Sequence, residues 1–259
     1  MQSTIELLQA RAAIKNEFRV SKTLLTTSEN NPLKFSANAE EQNMMVVATY
    51  IEPPYAYLAD NKYTGIHVNT ISLIATKMNK RVTFIQCPFA RCLSFLENGQ
   101  ADAIIGIRKT AERSKFLTYL DEPFTTQNFP LQFYIRQDSQ LNISHYSDLS
   151  NLRIGTIRAA TYFDQFDHDE SLNKVEVVHY NQLIQMLLKD RIDTFLEREE
   201  SIKPWIDHVD YQQKIKLAKY QYNKSVESYI AFSNKSPLIK EIAQFSQVQK
   251  QLLNSGEIK

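Results

Sequence analysis

Glycine is scarce, with five in 259 residues. With no GxGxxG or GxxxxGK[ST] pattern, that excludes the glycine-rich loops that bring a backbone against a nucleotide's phosphates. No apolar run approaches the ~20 residues a helix needs to cross a bilayer. The net charge is only +1, so no one-signed field draws the chain to nucleic acid or an anionic surface, and no nucleic-acid partner is expected. There are only two cysteines, Cys87 and Cys92. A lone CxxxxC pair without a neighbouring histidine is no metal motif. The pair reads as two small, partly buried apolar residues, with a disulfide as the alternative in an oxidising compartment. His67, His145, His179 and His208 show no HxxxH or HExxH spacing. The run Asp167-His168-Asp169-Glu170 has metal-ligand residue types but lies in a polar turn and reads as a solvated loop. No metal or cofactor is expected. What is present, 43% apolar and 23% charged residues, is ordinary globular composition, enough for one large domain or two modest ones.

Along the chain, residues 1–43 differ in texture from the rest. Leu7, Ala10, Ile14 and Phe18 fall near one face of an amphipathic helix over 1–20, and 36–42 is small and polar, like a linker. Glu6 and Glu17 interrupt any apolar core of a secretory signal, so no signal peptide is read in the chain as given. From Met44 short strands and helices alternate. MMVVAT is a buried strand, and Pro53-Pro54 then ends pairing and places Tyr55 and Tyr57 on a loop. A helix over 68–78 and the strand RVTFIQ follow. The stretch CPFARCLSFLENGQADAIIGIRKTAER (87–113) reads as a helix closed by Asn98-Gly99, a buried strand, and a basic loop opening a second helix. A basic cluster beyond a strand's carboxyl end suits an anion.

The pattern then repeats. LRIGTI and VEVVHY are strands, and NQLIQMLLKDRIDTFLE echoes FARCLSFLENGQADAIIG, with Asp193 in the place of Asp102. Two βαβ units of one build suggest two lobes. PLQFYIRQD (130–138) and VESYIAFS (226–233) read as hinge strands crossing in opposite directions, and Pro237 opens a final helix. The expected fold class is α/β, two-lobed with hinge strands and an N-terminal helical extension. Lobe 1 is discontinuous (44–133 and 227–259), lobe 2 spans 134–226, and 1–43 is the extension.

The marks VVATYIEPPYAY, GIHVN, PFARCLSFLENGQADAIIG, KTAERSKFL, DEPF, DLSNLRIGTIRAAT and DRIDTFLE, in this order, resemble the bacterial family 3 extracellular solute-binding proteins, of type II periplasmic-binding-protein fold. Residues 10–41, especially NNPLKFS, resemble part of the C-terminal domain of type VI secretion FHA-domain proteins. That segment reads as a fusion or an artefact of assembly, and the final helix at SGEIK as cut short. The solute-binding resemblance implies a non-enzymatic, periplasmic, monomeric protein. Its lobes would close over a small amino-acid-like or carboxylate ligand, for ABC-type uptake with a membrane permease or for sensing.

By that resemblance Arg113, reached through Thr110, grips the ligand's carboxylate, as a planar guanidinium can do bidentately. Ala160 and Thr161 form the answering loop of lobe 2, and Tyr55 and Tyr57 the aromatic wall. Arg91 is a further cleft-lining candidate. Two departures stand out. Arg108 replaces an expected serine, and Arg198 occupies the place of the acid that accepts a ligand ammonium, with Glu197 one residue away. An added cation favours a dicarboxylate or an anion lacking an amine. The alternative reading is a dehydratase or lytic-type enzyme on the same fold with Glu197 as general acid.

Overall fold

Short, mostly buried strands build two main sheets, and the chain crosses between them twice. The structure, a computed structural model, describes residues 43–207, 211 and 213–258. The expected helix over 1–20, the linker at 36–42 and His208 lie outside the described residues.

The first half runs β1 (Met44–Thr49), a hairpin of β2 (Tyr57–Ala59) and β3 (Lys62–Thr64), α1 (Ile66–Lys77), β4 (Arg81–Gln86), α2 (Phe89–Glu97), β5 (Ala103–Ile107), the short α3 (Ala111–Ser114), β6 (Leu117–Tyr119) and β7 (Thr125–Gln127). The second runs β8 (Leu131–Arg136), β9 (Arg153–Ile157), α4 (Asp164–His168), β10 (Asn173–Val177), α5 (Tyr180–Leu188), β11 (Thr194–Arg198), α6 (Glu199–Ile206) and β12 (Ile215–Tyr222). The chain then returns through β13 (Val226–Ser233) and ends in a 3₁₀ turn (Pro237–Glu241) and α7 (Ile242–Ser255).

One sheet has the order β4-β1-β5-β13-β6 and the other β10-β9-β11-β8-β12. In each, three parallel strands are followed by an antiparallel one, β13 against β5 and β8 against β11. The internal echo is thus a repeated topology. β8 carries the chain into the second sheet and β13 brings it back. We call the two sheets and their helices lobe 1 and lobe 2.

Alternation sorts side chains to the two faces of lobe 2's sheet. Phe133, Ile135 and Leu196 pack with Phe163 and Phe166 on one side; Tyr134 and Phe195 pack with Leu183, Ile184 and Leu187 on the other. In lobe 1, Met45, Val47, Ala103 and Ile105 meet Ile71 and Ile74 of α1 and Phe245 and Leu252 of α7. Each such large side chain contributes ~1.5–3 kcal/mol on burial.

The two aspartates of the echo share one structural task. Asp102 N donates to Val46 O while the Asp102 carboxylate accepts from Val46 N at 2.8 Å. Asp193 N donates to Arg153 O, and the Asp193 carboxylate accepts from Arg153 N at 2.7 Å. Each thus stitches the start of the third parallel strand to the first. The partners then diverge: Ser236 Oγ donates to Asp102 at 2.7 Å, whereas the Arg153 guanidinium reaches Asp193 at 2.6 Å.

Pro88 turns the chain out of β4 into α2, bringing residue 92, one turn into the helix, back to Cys87. The two cysteines form a disulfide, with Cα atoms 5.4 Å apart. The reading of two free apolar thiols gives way to this alternative. A loop this short still restrains the unfolded chain. Replacing both cysteines by serine is expected to cost about 2 kcal/mol in urea unfolding, with m unchanged.

Three further differences are local. Tyr57 lies in a hairpin strand opposite Thr64 rather than on an open loop. β12, which pairs with β8 and places Ala218, Tyr220 and Tyr222 against the lobe 2 core, was missed in the sequence; its register shifts between Leu217 and Gln221. The last helix opens on a 3₁₀ turn, where Ser236 Oγ accepts from Leu238 N.

Candidate ligand-binding cleft

The polar side chains between the lobes leave the sheets at or just past the carboxyl ends of parallel strands: Glu52 after β1, Arg108 after β5, 159–162 after β9, Tyr180 after β10, and Glu197 and Arg198 at the end of β11. Ligands bind α/β sheets at such ends, because the helices that follow leave a crevice there.

Arg113 is fixed from its own helix outward. Thr110 caps α3, its Oγ1 accepting from Arg113 N at 3.2 Å. The guanidinium, on a residue only 5% exposed, lies over the Phe89 ring at 5.2 Å. One arm donates to Arg108 O at 3.0 Å and the other crosses to Ala159 O of lobe 2 at 2.9 Å. Arg108 also crosses, donating to Tyr162 O. These two bonds bracket Ala160 and Thr161. Thr161 Oγ1 is buried with no protein partner among the described residues, and such a group costs about 1–3 kcal/mol unless a ligand or water satisfies it. Ala160 is packed against the core of lobe 2.

Glu197 is 7% exposed and accepts from Arg198 N at 2.9 Å. Burial pushes its carboxyl up to about 8; the Glu52 carboxylate adds to this, while the Arg198 N–H and the charges of Arg108 and Arg198 oppose it. Burial likewise raises Glu52. Oε1 of Glu52 accepts from Ser201 Oγ at 2.6 Å and from the Tyr180 hydroxyl at 3.1 Å. Arg198, 2% exposed, donates from its guanidinium to Phe129 O and Lys224 O on the two segments that connect the lobes. Its Nε has no partner among the described residues. Among those residues, no ion pair joins a carboxylate to Arg108, Arg113 or Arg198. Three largely buried guanidiniums thus stand among carboxyls that burial drives toward their neutral forms.

A pH dependence follows from Glu197. Between its ordinary value of 4.5 and the folded value of about 8, the native chain holds a proton the unfolded chain has lost. Stability from this group is therefore full below pH 4.5 and falls as pH rises through 8. Thermal melts are expected to show a Tm that declines over that window, and Glu197→Gln is expected to flatten the decline.

The comparisons agree with this architecture. Residues 45–258 match the model of the bacterial extracellular solute-binding proteins, family 3. The chain belongs to this family. Residues 1–58 match the C-terminal domain of type VI secretion system FHA protein. No curated protein matches the chain. Among solved structures, an ancestral arginine-binding protein bound to arginine is 17% identical, with TM-score 0.69 over 83% of this chain and 94% of its own. The arginine-binding protein of T. maritima, in its holo form, is 16% identical, with TM-score 0.70 over 83% and 93%. An amino acid ABC transporter substrate-binding protein, AbpA, from Streptococcus pneumoniae Canada MDR_19A, bound to L-arginine, is 21% identical, with TM-score 0.67 over 85% and 93%. At these identities the likeness is one of fold.

Of the residues proposed for this family member's site, Arg108, Arg113, Thr110, Ala160, Thr161, Glu197 and Arg198 come together at the junction of the lobes. Tyr55 lies alongside, stacked on His67 at 4.8 Å, with burial raising its hydroxyl to about 12. Tyr57 sits in the β2–β3 hairpin and makes no described contact with the cluster. Arg91 is on the exposed face of α2, over Phe95 of its own helix at 5.5 Å. Sequence reasoning missed Glu52, Tyr180 and Ser201. The available signal was an acid at the carboxyl end of the first strand, between Ile51 and Pro53.

Proposed function

We propose that this solute-binding protein closes its two lobes over a small ligand held by a carboxylate or other anionic group, and that a ligand with a second acidic group fits best. It would deliver the ligand to an ABC-type permease, or report it to a sensor, outside the cytoplasm. One observation carries the reading: Arg113, buried and shared between the lobes, stands with Arg108 beside the Thr161 hydroxyl, which has no partner among the described residues. A guanidinium offers five N–H donors, so the bonds to two carbonyls leave donors for a carboxylate. Arg198 stands in the place of the acid that would accept an α-ammonium, and burial drives the nearby Glu197 and Glu52 carboxyls toward their neutral forms. The Cys87–Cys92 disulfide supports an oxidising compartment.

Glu197, held protonated near neutrality, also has the state of a general acid, which is the one observation favouring a dehydratase. We expect no turnover of prephenate-like acids. A thermal-shift screen tests the binding reading. Small dicarboxylates are expected to raise Tm progressively with concentration, following RT ln(1 + [L]/Kd), by more than neutral or cationic amino acids do. A panel in which no anion shifts Tm would refute it.

A further inference from the structure

The interlobe contacts divide into two kinds. Arg108 and Arg113 reach backbone carbonyls across the cleft and retain free donors. Glu52 is different: its carboxyl is occupied by hydroxyls. From lobe 2, Tyr180 at the start of α5 and Ser201 in the first turn of α6 both donate to Oε1. From lobe 1, Tyr50, two residues before it, gives its hydroxyl proton to Gly106 O at 3.1 Å instead, so both hydroxyls that donate to Glu52 come from lobe 2. Glu52 lies 128 residues from Tyr180 and 149 from Ser201, so sequence proximity explains none of this. The two hydroxyl carriers belong to different elements, α5 and α6, and only lobe contact brings Tyr180 and Ser201 to β1's end. Glu52 is 7% exposed and Ser201 3%, so the bonds form where water does not compete. Tyr180 in turn packs against Trp205 of α6, with ring centroids 6.2 Å apart, which fixes the two donors relative to each other.

We propose that Glu52 is a latch: a positioning residue that holds the lobes together through Tyr180 and Ser201 and sets the closed fraction without touching ligand. The proposal rests on the closure reading above. A latch acts on every ligand alike, because lowering the closed fraction weakens all apparent affinities by one factor. A ligand-contacting residue would instead reorder the ligands.

The test uses the full chain with spin labels on exposed sites of each lobe, Glu97→Cys and Lys189→Cys, the native cysteines being bonded to each other. Without added ligand, Glu52→Ala is expected to lengthen the interlobe distance distribution, with Tyr180→Phe and Ser201→Ala each giving part of the same change. Those two conservative variants keep the proposal testable if Glu52→Ala folds poorly. Affinities for two dicarboxylates of different length are expected to fall together by about tenfold, the loss of roughly one well-made hydrogen bond. An unchanged distance distribution in all three variants would overturn the latch, and so would an altered ligand ranking. If no anion binds the parent chain, the proposed function fails, while the distance measurement still decides the latch.

Discussion

Arg113→Ala is expected to weaken ligand binding by about a hundredfold, read by calorimetry on a chain that still melts cooperatively. Arg113 is buried, capped in place by Thr110, and backed by Phe89. Its guanidinium is the group that meets both Arg108 of lobe 1 and Ala159 of lobe 2. Removing a buried, hydrogen-bonded charge partner costs ~2–5 kcal/mol of binding, and about 2.7 kcal/mol is already a hundredfold. Arg113→Lys is expected to fall between, since an ammonium keeps the charge and loses the planar fork. Arg91→Ala is the control: exposed and stacked on its own helix, it is expected to bind like the parent. Equal affinity in Arg113→Ala and parent would remove Arg113 from the site.

Gly106→Ala is expected to be the most destabilising single substitution considered, by about 4 kcal/mol in denaturant unfolding. Gly106 sits inside β5 with φ +85, a backbone conformation L side chains avoid, and a Cβ there would lie 2.2 Å from His67 Cε1. Strain of that kind and overpacking each cost ~1–3 kcal/mol. The His67 ring has nowhere to retreat: it is stacked on Tyr55, meets the edge of Phe124 at 5.2 Å, and is 5% exposed. Burial drives its pKa down to about 3, so it serves as a neutral packing ring. Adding His67→Ala to Gly106→Ala is expected to relieve the clash and leave the φ strain, so the pair costs less than the sum of the singles.

These residues also mark what the sequence could and could not disclose. Local rules were enough for α2, where Pro88 opens the helix and Asn98-Gly99 closes it, Gly99 at φ +70. The echo of Asp102 in Asp193 was legible because one stitch between the first and third strands was built twice. Residues of the candidate site could be named from the sequence only through the resemblance, as at Arg113, Thr110 and Thr161. Glu52 was not among them, because its meaning lies in hydroxyls brought near by closure. Arg198 was read as a cation facing the ligand. The fold instead gives its guanidinium to the carbonyls of Phe129 and Lys224 on the two connecting segments. No local pattern encodes such a tie, because it depends on where β8 enters the second sheet and β12 leaves it. The disulfide was open for a related reason: spacing permits it, and only the turn at Pro88 closes it.

Calorimetric titration of the full chain with a small dicarboxylate and with L-arginine, at pH 6.5 and again at pH 9, tests the proposed ligand class most directly. We expect one-to-one binding of the dicarboxylate at pH 6.5, weaker binding at pH 9 once the Glu197 carboxyl, held at about 8, has ionised, and little or no heat from L-arginine. One-to-one binding of L-arginine, with none of the dicarboxylate at either pH, would contradict an anion-selective cleft.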